Sequence, residues 1–303
     1  MKLLTRSFTD KKYYLQFLIL SVFAVFFCVF TSVWIQNTIA VIGILTFGIL
    51  HGANDLKIIS QKTSHSAQSD RMKSFGLYVG VVFLGILLFF YLPRFALLSF
   101  VAVSCYHFGE QHWSERIQTT FLKPWIFSTY GILIFSMLFA LQYHPSSEVI
   151  TQITSVVVPH YFFWVGLILS LIGLVLLLVI EKVKKQTLLI ELFLLIILGL
   201  LFWNASLLFA FGFYFVIWHS IPSLSSQLNY IYGDTKKSNL ILYIKSAWLY
   251  WLGALSGLFL FFYYVEVEEA ELLSLFFSFL AAITFPHAIV MGLMFHSNPT
   301  DGD

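Results

Sequence analysis

The sequence predicts an all-α, polytopic integral membrane bundle, and three observations carry that prediction. First, 59% of residues are hydrophobic and only 11% charged, with a mean hydropathy of +0.86; a soluble domain carries about 25% charge. Second, the apolar residues fall in runs near the roughly 20 residues that a bilayer-crossing helix needs, without strand alternation. Third, the basic residues are sorted by loop. This composition excludes a soluble enzyme with a separate catalytic domain, and residues 1–303 are expected to form one transmembrane catalytic domain. No nucleic-acid partner is expected. The two cysteines, Cys28 and Cys105, both lie in apolar runs and form no Cys-x-x-Cys pair, so no disulfide framework is expected.

Ten segments are candidates for spans: Tyr13–Ile35, Thr38–Leu56, Ser74–Leu92, Phe95–Trp113, Leu122–Tyr143, Val158–Ile180, Thr187–Phe202, Ala205–Ile221, Lys245–Val265 and Glu271–His296. The second is short before it meets Asn54 and Asp55, and the seventh is weak. The first follows Lys11 and Lys12 and lacks a small-residue cleavage site, so it reads as a retained span. Helices are required because lipid offers backbone groups no partner. With the N-terminus in the cytoplasm, alternation puts all 17 lysines and arginines except Arg94 on the inner side, and the loop from Glu266 to Glu271 outside is acidic. That asymmetry is the positive-inside pattern. Both termini are therefore expected in the cytoplasm, with the chain multi-pass in a cell membrane.

In this topology the even-numbered segments all run inward, and four of them carry a histidine towards the inner end. These are His51 in His-Gly-Ala-Asn-Asp, His107 in Tyr-His-Phe-Gly, His219 in Trp-His-Ser-Ile-Pro and His287 in Phe-Pro-His. Titratable groups inside a membrane are costly and mark functional sites, and neutral imidazole is the commonest metal ligand. Four histidines at one depth point to a shared metal site, though each alone reads equally as an interfacial hydrogen-bonding residue. His144 and His160 fall on the outer side, His65 in a polar loop and His296 at the C-terminal end, and these four read as structural or solvated.

Asp55 follows His51 by four residues, and Glu110 follows His107 by three, so each is expected on the face of its histidine, ready to orient the ring. Gly52 and Gly109 permit close helix approach, and Pro222 and Pro286 are expected to disturb their helices. His112 lies five residues beyond His107, about 140° around a continuous helix. It joins the site only if the helix loosens at Gly109, and stands as a reserve ligand or substrate-side residue. Tyr106, Phe108, Phe215, Trp218 and Phe285 adjoin or nearly adjoin motif histidines and are candidate substrate-lining residues; aromatic residues in spans otherwise serve lipid contact and interfacial anchoring.

Three classes of function use such a site: a mononuclear metalloenzyme, a b-type haem protein with two axial histidines, and a proton-coupled transporter with a histidine relay. A di-iron desaturase is not expected, since no His-x-x-x-His or His-x-x-His-His occurs.

The ordered set of His51-Gly-Ala-Asn-Asp55, Tyr106-His107-Phe108-Gly109, His219-Ser220 and Pro286-His287 resembles the motifs of the Brp/Blh family of membrane β-carotene 15,15′-dioxygenases. The resemblance runs from the second segment to the tenth. It implies cleavage of the central double bond of β-carotene by O2 at a histidine-bound non-haem ferrous iron, Fe(2+), giving two retinals that serve a microbial rhodopsin, in the bacterial inner membrane. It implies iron ligands at His51, His107 and His219. Where some relatives carry a second histidine four residues after His219, this chain has Ser223. His287 is the choice for the fourth ligand, with His112 behind it.

Overall fold

The computed structural model describes residues 11–62, 68–264, 268 and 271–295. Lys2, Arg6, His65, His296 and most of the acidic stretch 266–271 lie outside these residues. The described chain is helical, and eight helices are long and apolar enough to cross a membrane.

The first expected span divides earlier than expected. Helix α1 (Lys11–Phe30) stops before Thr31, and α2 (Val33–Gly43) begins at an N-cap, Ser32, whose hydroxyl accepts from the N–H of Ile35. Gln36 braces this break by donating to the carbonyls of Cys28 and Thr31. The apolar run continues across it, so hydropathy alone could not locate it. α2 passes into a π-helical segment, Ile44–Gly48, then a turn over residues 51–54, then the short α3 (Asp55–Lys62).

The remaining helices are α4 (Gln68–Tyr91), α5 (Pro93–Trp113), α6 (Lys123–Leu141), α7 (Tyr143–Thr154), α8 (His160–Ile180), α9 (Lys185–Asn204), α10 (Leu207–Phe213), α11 (Ile221–Tyr232), α12 (Lys237–Tyr264) and α13 (Leu272–Phe295). α10 and α11 are joined by a second π-helical segment, Tyr214–Ser220, so that residues 207–232 form one long rod. Pro222 therefore does not end its helix. It lacks an N–H for the carbonyl of Trp218 and its ring crowds that group, and the wider π turn just before it absorbs the mismatch. α13 likewise runs unbroken through Pro286.

Two of the ten expected spans fall short of the eight. The helix over Val33–Gly48 is apolar but short. α5 is long enough, but its last three turns bury Ser104, His107, Glu110, Gln111 and His112. α5 and α6 meet backbone to backbone: a side chain at Gly109 would enter the backbone of Phe127, and one at Gly131 the backbone of Cys105.

Contacts between loops agree with alternation of the spans. Glu181, after α8, accepts from the N–H groups of Gln118 and Thr119 beyond α5; desolvation raises its carboxyl, but the Thr119 side chain together with these N–H groups holds it below the usual carboxylate range. At the opposite end Arg94 donates to the carbonyl of Thr154, where a cation also suits the C-terminal dipole of α7.

A candidate metal centre

Four imidazoles from four parts of the chain close into a ring. His51 and His287 lie 4.5 Å apart between ring centroids, His287 and His107 5.2 Å, His107 and His219 4.6 Å, and His219 and His51 5.2 Å. Each ring stands nearly perpendicular to the next, at 77° to 87°. Ring nitrogens of His51, His219 and His287 all come within 4.8 Å of one another. All four side chains are buried, none more than 4% exposed.

Local structure explains how each ring arrives. His51 begins the turn after the first π segment, its N–H still bonded to the carbonyl of Phe47. His219 sits in the second π segment, a helical irregularity common at functional sites. Gly48 belongs to the first and Phe215 to the second; a Cβ on Gly48 would come 2.7 Å from Cε1 of Phe215, so the glycine lets the two segments touch. His107 projects from regular α-helix, two residues before Gly109. His287 follows Pro286, and Gly52 lies under its ring, where a Cβ would sit 3.4 Å from Nδ1.

Among the described residues, both ring nitrogens of His51 and His107, Nδ1 of His219 and Nε2 of His287 have no hydrogen-bond partner. A buried polar group left unpaired costs about 1–3 kcal/mol, so this cluster is expensive unless something fills it. A metal ion fits, since it would satisfy several of these nitrogens at once and neutral imidazole suits iron, zinc and copper.

Asp55 is close to the site, but its partner differs from the one expected. Its Oδ1 lies 2.9 Å and its Oδ2 3.1 Å from Nδ1 of His287, not against His51. The four-residue spacing from His51 would mean a common face only on a continuous helix, and the helix is broken between the two. Tyr78 of α4, not foreseen from sequence, donates to Oδ2 of Asp55 at 2.9 Å. Glu110 stands 3.8 Å from Nδ1 of His107, beyond hydrogen-bond reach.

His112 lies elsewhere. α5 stays α-helical through Gly109, which packs on α6, so the ring turns away and Nε2 meets Oε2 of Glu191 at 3.0 Å. Arg116 and Tyr14 complete that carboxylate at 2.5 and 2.9 Å, and Tyr130 stacks on the imidazole at 4.5 Å. Glu191, a lone acid within an expected span, was the overlooked signal. Ser223 is buried, its hydroxyl accepting from Nε2 of Gln227 and 4.0 Å from Sδ of Met291.

Of the aromatic candidates, Phe108 and Phe215 border the centre. Phe108 lies 4.5 Å from His219; Phe215 lies 5.7 Å from His51 and stacks on His219 at 5.6 Å. Phe211, one turn before Phe215, stacks on it at 5.5 Å; the spacing of 211, 215 and 219 was the sequence signal for this stripe. The other three make their contacts elsewhere. Tyr106 packs on Phe127, Trp218 donates to Ser21 and packs on Tyr14, and Phe285 lies against α4 at Gly85. The outer His160 accepts from Trp164, a structural role, while His144 is exposed in α7.

Fold and site together define a polytopic membrane protein built around a buried histidine centre able to take a metal ion. The chain belongs to the β-carotene 15,15′-dioxygenase family, whose model matches residues 42–295, a stretch that includes all four histidines. It is accordingly a carotenoid-cleaving dioxygenase. No curated protein and no solved structure matches it.

Proposed function

We propose that the protein holds one Fe(2+) on His51, His107, His219 and His287 and splits the central 15,15′ double bond of β-carotene with O2, giving two molecules of all-trans-retinal. The observation that carries this reading is the closed ring of buried imidazoles, each with at least one ring nitrogen that has no hydrogen-bond partner among the described residues. The bound ion would supply the redox-active centre for O2 chemistry, which no side chain here can provide.

The chain's own residues then have distinct tasks. Asp55 accepts the Nδ1–H of His287, which selects the tautomer that presents Nε2 to the centre. Tyr78 holds the Asp55 carboxylate. Phe108 and Phe215 wall the centre on the side of His219, exclude water, and present ring faces that favour cationic character along a polyene. No side chain need act as nucleophile, and no external reductant is consumed, because each carbon of the cleaved bond takes one oxygen atom of O2. The hydrocarbon substrate would enter sideways from membrane lipid.

The rival uses of four histidines find less support. A porphyrin between two of these rings would collide with the other two, and a proton relay would be strung out along a path, not closed into a ring. The proposal extends to a single catalytic domain over residues 1–303, a place in the bacterial inner membrane with both termini cytoplasmic, and delivery of retinal to a microbial rhodopsin.

The test is expression in β-carotene-producing cells followed by pigment chromatography, then turnover in detergent under 18O2. Retinal should accumulate with label in both aldehydes, and chelation of iron should stop it. Purified, iron-loaded protein that leaves β-carotene intact in micelles would end the reading.

A further inference from the structure

α12 is a long helix with little purchase on the bundle: of its 28 residues only Tyr243, Ala247 and Leu258 are buried. Most of its polar contacts with the rest of the bundle nevertheless fall on one short piece of chain, residues 45–54, which carries His51. Tyr243, Ala247 and Trp251 are spaced four apart and so share one face. The hydroxyl of Tyr243, fully buried, lies 2.9 Å from the carbonyl oxygen of His51 and 2.7 Å from Oε1 of Gln227 in α11; its single proton serves one acceptor at a time. Trp251 Nε1 donates to the carbonyl of Leu45, in the first π segment, at 2.7 Å. Asn54 donates to the carbonyl of Tyr243 and accepts from Ser246, both at 2.9 Å.

The reason for these contacts lies in the broken helix. Among the described residues no backbone N–H outside regular helix reaches the His51 carbonyl. An irregular backbone within a membrane persists only where neighbours satisfy the groups that the break leaves open. Resting on the metal site proposed above, we propose that Tyr243 and Trp251 are positioning residues for it: from α12 they hold the backbone within the first π segment and at the turn that follows it, and so set where the His51 ring meets the other three. Neither residue touches substrate or metal in this assignment. They act through the backbone at Leu45 and His51.

The test uses the full chain in detergent, with Tyr243→Phe and Trp251→Phe, each removing a hydrogen bond while keeping an aromatic ring. Tyr263→Phe, on the same helix but 70% exposed, is the control. Fe(2+) affinity is read by chelator competition, and site geometry by the visible spectrum of the Co(2+)-loaded protein. Tyr243→Phe is expected to bind Fe(2+) about 10–100-fold more weakly and to shift the Co(2+) bands, at unchanged helicity by circular dichroism. Trp251→Phe should move both in the same direction, and Tyr263→Phe neither. Should Tyr243→Phe fail to fold, Trp251→Phe decides by the same two readings. Parent affinity and parent Co(2+) spectrum in the folded variants would overturn the positioning role alone; a parent protein that takes up neither ion would overturn the metal centre as well.

Discussion

His287 and Asp55 stand 232 residues apart in the chain and 2.9 Å apart in space, Nδ1 to Oδ1, both buried. With Nδ1 engaged, Nε2 is the nitrogen of His287 left for the centre, and it has no partner among the described residues. The contact joins α13 to the start of α3, so the first residue after the turn that carries His51 also fixes the ring of a histidine in α13.

Asp55→Ala should therefore leave the four rings in place but let that of His287 turn. Fe(2+) affinity is expected to fall about 10–100-fold, measured by chelator competition. Tyr78→Phe, which removes one bond to the carboxylate, should fall less. Asp55→Ala with parent affinity would show that the ring is held by packing alone.

Alanine at His51, His107, His219 or His287 should each remove most of the metal, from a parent value of one iron per chain by elemental analysis. His112→Ala and His160→Ala should keep it. His112→Ala should instead lower the melting temperature in detergent, because Glu191 loses one of three partners in a buried site, at about 1–3 kcal/mol. Loss of iron in His112→Ala with an unchanged melting temperature would move that histidine into the centre.

Gly109→Ala and Gly131→Ala probe the support of His107. In each case the new Cβ would enter the backbone of the facing helix, which cannot yield as a side-chain tip can. Each is expected to cost upward of about 3 kcal/mol, read as a large drop in melting temperature or failure to accumulate. Gly253→Ala in α12, with nothing near it, should be neutral.

Reporter fusions after Lys185 and Lys237 should both report the cytoplasm. Between them α9 crosses once and the rod of residues 207–232 crosses back. Opposite reports from the two would refute the ten-span map.

Fold class and the identity of the four histidines were legible because both follow from local rules. Apolar runs of span length must be helical in lipid, where every backbone group needs an internal partner, and a histidine towards the inner end of each of four inward-running segments is a pattern visible without contacts. The 140° offset of His112 was also legible, since α5 is continuous. The partner of Asp55 was not. Helical spacing relates residues only along an unbroken helix, and the π segment and turn between Ile44 and Asp55 cancel that relation. Tyr78 and Tyr243 carry no signal in their own neighbourhoods, and Glu191, though conspicuous as an acid in an apolar run, does not name its partner; each acquires its role from a group 23, 192 or 79 residues away, respectively. The sequence by itself determined that this is a helical membrane protein with four histidines towards one end of its spans. Tertiary structure alone decided which carboxylate orients which ring, which aromatic residues face the centre and what holds the broken helix, because those depend on which helix faces meet, and facing is set by packing among helices rather than by order along one.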